Sequence, residues 1–201
     1  ASAVGYGNNA GGVASSAFGF SNVAKVDYAS AFGYSNEASG LASSAVGFRN
    51  KAASENASAV GYGNNANALA ASAVGYNNTA GGVGSSTIGY NNTATNENAS
   101  AFGYGNTAGG LASSAFGFSN TASGDNANAF GYNNTASGNY TNAIGYNNQA
   151  QAFASSAIGY QNKATASAVS ASAVGRSNEV SNEYANAFGC LLYTSPSPRD
   201  A

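Results

Sequence analysis

The chain has 201 residues, only 7% of them charged, and a formal net charge of −2. That balance excludes the basic stripe with which a protein tracks a nucleic-acid backbone. It has no histidine, tryptophan or methionine and one cysteine, Cys190, which leaves no intrachain disulfide, no metal set and no histidine base for a serine nucleophile.

The chain repeats from its first residues. Ser-Ala-Val-Gly-Tyr at 2–6 returns as Ser-Ala-Phe-Gly-Phe at 16–20, Ser-Ala-Phe-Gly-Tyr at 30–34 and Ser-Ala-Val-Gly-Phe at 44–48. Its glycine recurs every fourteen residues from Gly5 to Gly159, then at Gly175 after sixteen and Gly189 after fourteen. With that glycine as position zero, position −1 is always Val, Phe or Ile, and +1 is Tyr or Phe in the first twelve repeats. Position +3 is Asn from Asn8 to Asn178, and −2 and +5 are Ala with few exceptions, among them Thr87 and Val180. A disordered Gly/Ala/Ser/Asn-rich chain has no need of aromatic and β-branched residues locked to one phase.

Residues −3 to +1 alternate small and large, which predicts a short strand. The glycine lets another backbone come close. Asn at +3 is expected in a left-handed turn, and a second strand of similar length is expected to carry the +5 alanine. Two strands and two tight turns fill the repeat and leave no helix. Stacked at about 4.8 Å, equivalent residues form ladders, and the asparagines hydrogen-bond along theirs. The fold class is therefore all-β, a parallel β-roll or solenoid of 14-residue coils. No charge falls between −5 and zero, whereas Glu55, Glu97 and Asp125 share phase +8, as on a solvated edge. A coil this thin holds mostly Ala, Gly and Ser. The large −1 and +1 residues must lie elsewhere, and a second chain is expected to cover them.

Thr79, Thr93, Thr107, Thr121 and Thr135 occupy position +4 in five successive repeats and are the candidate ligand-binding row. Threonine also suits an exposed strand, and Lys51, Lys163, Glu37 and Glu179 occupy that phase elsewhere. No residue pattern marks a catalytic, metal or cofactor site. Residues 1–189 read as the repetitive domain, with a two-residue insertion within 165–172 that must bulge at a turn. Residues 190–201, with two prolines and no phase, read as a foreign or disordered tail. The chain starts in mid-repeat at Ala1 and reads as a piece of a longer protein.

Residues 121–132 (Thr-Ala-Ser-Gly-Asp-Asn-Ala-Asn-Ala-Phe-Gly-Tyr) and 136–146 (Ala-Ser-Gly-Asn-Tyr-Thr-Asn-Ala-Ile-Gly-Tyr) resemble the YadA-like head repeats of trimeric autotransporter adhesins. The resemblance spans residues 1–189, although Tyr or Phe follows the glycine here where many heads have smaller residues. It implies a left-handed roll and a homotrimer on the outside of a bacterial cell, anchored in the outer membrane through other parts. It implies adhesion to extracellular matrix or to a cell-surface ligand, with no catalysis, no cofactor, no nucleic acid and no membrane contact by this segment. Two other readings share the repeat: a segment of a trimeric phage or viral tail fibre, and a monomeric solenoid with an ice- or ligand-binding threonine face.

Overall fold

The computed structural model describes residues 1–194. It is an all-β parallel solenoid in which each coil carries one long and one short strand, with no helix among the described residues. The chain divides into two units, Ala1–Tyr104 and Gly105–Ala201.

In the first unit, eight five-residue strands run from Ser2–Tyr6 to Ser100–Tyr104. Each of the first seven pairs in parallel with the strand fourteen residues on, so Gly5 meets Gly19 and Tyr62 meets Tyr76. Seven two-residue strands, from Asn9–Ala10 to Thr93–Ala94, form a second sheet in the same register. In the second unit, six long strands run from Ser114–Phe118 to Asn186–Cys190, and seven short ones from Thr107–Ala108 to Tyr193–Thr194. The insertion is absorbed by consecutive turns after Lys163–Ala164, and register resumes with Ser156 opposite Ser172.

Three details differ from the sequence reading. The second strand has two residues rather than about five, because the chain turns on both sides of it. The left-handed backbone falls at +2, not at Asn +3: Ser21, Ser35, Arg49 and Asn77 have φ of 51–53°. Finally, the coil runs past residue 189. Cys190 ends the last long strand, and Tyr193–Thr194 pair with Glu179–Val180. The rest of the expected tail, 195–201, lies outside the described residues.

The interior explains the repeat. Along a strand, side chains alternate, so −2 and +5 point inward. Every buried apolar residue among those described is alanine except Val180. An alanine methyl contributes roughly 0.8 kcal/mol on burial, so this core stabilises each coil only modestly. Most of the remaining order is polar. Corner groups bond from coil to coil, as in Ser21 N–H to Tyr6 O at 2.8 Å and Asn9 N–H to Asn22 O at 2.8 Å. Beneath them runs the asparagine ladder. Asn64, Asn78 and Asn92 are 0–1% exposed, and the Nδ2 of each donates to the Oδ1 of the asparagine one coil before, at 2.9–3.0 Å. The amide that looked like a turn former is the central beam of the coil.

A second left-handed corner lies at +9. Ala14, Ala42 and Ala70 hold φ of 53–54° there, beside Asn56 and Asn98 at 55–56°. This conformation costs a non-glycine residue roughly 1–2 kcal/mol, less for asparagine. Ala70→Asn at this exposed corner is therefore expected to raise stability by about 0.5–1 kcal/mol, read as a higher thermal midpoint by circular dichroism. An unchanged or lower midpoint contradicts the account of that corner.

Candidate interaction surface

The alternation that buries −2 turns −3, −1 and +1 outward, all on the same face of the long sheet. Parallel in-register pairing then lines equivalent residues into rows. In the first unit, the +1 rings stack from Tyr6 through Phe20, Tyr34, Phe48, Tyr62, Tyr76 and Tyr90 to Tyr104, with centroids 4.7–5.2 Å apart. The planes of Tyr76 and Tyr90 differ by 2°. In the second unit, Phe118, Tyr132, Tyr146 and Tyr160 stack at 5.0 Å, and the Arg176 guanidinium lies 5.7 Å from the Tyr160 ring centre. The −1 row holds Phe18 stacked on Phe32 at 5.1 Å and Phe116 on Phe130 at 5.0 Å.

These rows are not a core. Tyr34, Tyr62, Tyr76 and Tyr90 keep 39–43% of their surface exposed, and Val46 and Val60 keep 36%. The large side chains that the thin coil cannot hold lie outside it. Four residue steps across and seven coil steps along give the first unit's face about 13 Å by about 34 Å, roughly 450 Å². That equals the largest apolar patch of a typical monomer, about 300–600 Å²; the strands that form it carry no charged residue, and Arg49 at the adjoining corner lays its guanidinium 5.1 Å from the Phe48 ring centre.

The short sheet presents the +4 row. Thr79 lies beside Thr93 in the first unit, and Thr107, Thr121 and Thr135 lie in sequence in the second. In the first unit Glu37 and Lys51 share that row as register neighbours. In the second, Lys163 Nζ meets Glu179 Oε1 at 3.2 Å.

The +8 edge is only partly the solvated charge row expected. Asp27 and Asp125 accept hydrogen bonds from the backbone N–H of Val13 (2.7 Å) and Leu111 (2.9 Å), one coil earlier. Their carboxylates thus cap corner amides. Between the acids stand exposed Val13, Leu41, Leu69, Val83 and Leu111.

One feature escaped the sequence reading. In the second unit a groove of about 260 Å³ is lined by Asn147, Gln149, Gln161, Lys163, Ser177 and Glu179 over the buried amides of Asn162 and Asn178. Its signal was present: at +4, Gln149, Lys163 and Glu179 replace the threonines of the preceding coils, and at +2 Gln161 replaces a shorter side chain.

Stacked in-register coils with an alanine interior and an outward aromatic face define a repeat protein of the parallel β-solenoid class. The YadA head domain repeat (2 copies) matches residues 10–36, 27–50, 38–64, 80–106, 108–134 and 127–148. The chain belongs to this family, which is one of adhesin head repeats and not of enzymes. Four of the matches begin at 10, 38, 80 and 108, whole numbers of fourteen-residue coils apart. No curated protein matches the chain.

Proposed function

We propose that this chain is a head segment of a trimeric autotransporter adhesin, held outside a bacterial cell, where it adheres to host matrix or to other cells. The observation that carries the reading is the family's repeat, maintained in phase with an outward aromatic face. Three copies packed through their −1 and +1 rows bury that face and leave the corners and the short sheet outward. Identical weak contacts then recur along the coils, so that binding strength comes from their number.

Light scattering on the purified chain tests the assembly: a mass three times the 19.6 kDa of one chain is expected. Changing Tyr62 and Tyr90 together to Lys sets like charges on the seam and is expected to return the mass to that of one chain, with the β-type circular dichroism retained. A folded wild-type monomer at all concentrations would sink the seam. Adhesion is tested separately, with beads carrying the chain applied to immobilised matrix proteins and to cells. Retention that falls steeply with bead density supports the reading, and retention no better than that of bare beads opposes it.

A further inference from the structure

The polar groove of the second unit is built differently from the coils around it. Before the groove the +4 row of that unit is Thr107, Thr121 and Thr135, too short to form walls, and after it the row ends in Tyr193. At the groove it becomes Gln149, Lys163 and Glu179, neighbours in register on three coils, and the +2 corner opposite carries Asn147, Gln161 and Ser177. Coil spacing makes the trough about 10 Å long. Its floor is chemically spent: Asn162 Nδ2 and Asn178 Nδ2 are bonded along the ladder at 3.1 and 3.0 Å. Its walls are not. Among the described residues the Gln161 amide has no side-chain partner, nor has the Ser177 hydroxyl. Gln149 Oε1 accepts only a long 3.4 Å contact from Gln151 and leaves its own NH2 free. Asn147 Oδ1 accepts from Asn133 at 3.0 Å, and its NH2 is free.

What remains is a set of amide donors and acceptors with one hydroxyl, in a groove where Lys163 and Glu179 cancel each other's charge. Side-chain amides offer both hydrogen-bond roles from one plane, which is the complement of adjacent sugar hydroxyls. A net-neutral lining does not select an anion or a cation. The volume lies below the range of about 300–1,000 Å³ usual for drug-sized ligands, and the trough is open along its length.

We propose that this groove binds a neutral saccharide, one or two pyranose rings laid along the three coils. The proposal does not rest on the adhesion reading, because it concerns the chain in solution. The test is saturation-transfer NMR on the whole chain with galactose, N-acetylglucosamine, lactose and diacetylchitobiose, and with sialyllactose as the anionic comparison. At least one neutral sugar is expected to receive transfer, with a millimolar Kd. The double change Gln161→Ala and Lys163→Thr is expected to weaken it tenfold or more. Gln149→Thr restores the residue common at its phase and is expected to weaken binding in the same direction without disturbing the fold. Thr93→Ala in the first unit should leave it unchanged. Transfer to none of the four neutral sugars, transfer to sialyllactose alone, or binding indifferent to both groove variants overturns the proposal.

Discussion

Gly75→Ala is expected to cost the first unit more than about 4 kcal/mol, well beyond the usual effect of a single substitution. Two independent causes act at that residue. Its φ of +118° is a conformation that side-chain-bearing residues rarely adopt. An added Cβ would also stand 2.1 Å from the carbonyl oxygen of Gly89 on the next coil. That oxygen belongs to a backbone paired on both sides, so relief requires moving whole coils apart, with loss of strand pairing and of the Tyr76–Tyr90 stack. Each coil of a solenoid is stabilised through its neighbours, so a wedge in the middle also divides the cooperative unit. The expected melting curve is both lower and broader than that of the wild type. Gly81→Ala is the matched control: its φ is not in the strained region, and the nearest atom to an added Cβ is Ala94 O at 3.7 Å. It should change stability by no more than about 0.5 kcal/mol, or raise it by reducing the freedom of the unfolded chain. If urea titrations give the two variants equal midpoints, close backbone approach is not what holds glycine at phase zero.

The coil was legible in the sequence because its constraints act at fixed phases. Small residues at −2 and +5 mark an interior too thin for anything larger, and among the described residues Val180 stands as the one larger apolar side chain that is fully buried. The outward −1 and +1 rows followed from the same crowding. The corners were harder to place. Asparagine favours left-handed turns and also satisfies buried backbone groups, and both uses leave the same letter at +3. The structure decides for the second: the left-handed turn passed to +2, where Ser, Asn, Gly and even Arg49 and Gln161 are found. Most are Gly, Ser or Asn, which suit a turn, but the position varies, and the asparagine recurring beside it is the stronger signal. The groove was missed for a related reason. Gln149, Lys163 and Glu179 read one at a time are interruptions of a threonine row, and only stacking makes them a wall.

Asn78→Ala is expected to cost about 3–5 kcal/mol, and Asn78→Asp more at neutral pH than in acid. The Asn78 side chain is fully buried. Its NH2 is shared among Asn64 Oδ1, Val74 O and Gly89 O at 3.0, 3.0 and 2.7 Å. Its oxygen accepts from the backbone N–H of Asn92 at 2.9 Å and the Asn92 side chain at 3.0 Å. Truncation leaves several of these groups dry and poorly paired, each at about 1–3 kcal/mol, and the neighbouring amides lose the alignment that made them a continuous chain. Aspartate keeps the shape but reverses the chemistry. Its second oxygen would face three oxygens that now accept hydrogen bonds, in a site closed to water. Both burial and repulsion favour the protonated acid, so the folded pKa of the new carboxyl lies above its unfolded value of about 3.9. The folded state then holds the proton where the unfolded state has released it. Stability relative to wild type is best below about pH 3.9 and is lost as pH rises through the interval up to the folded pKa, by about 1.4 kcal/mol for each unit of that interval. Urea titrations of wild type and variant at pH 3 and pH 7 read the effect directly. A gap that widens at pH 7 places the ladder's acceptors around residue 78; a gap that is constant or narrows shows that the amide there is exchangeable for a charge, and the ladder would not be what binds one coil to the next.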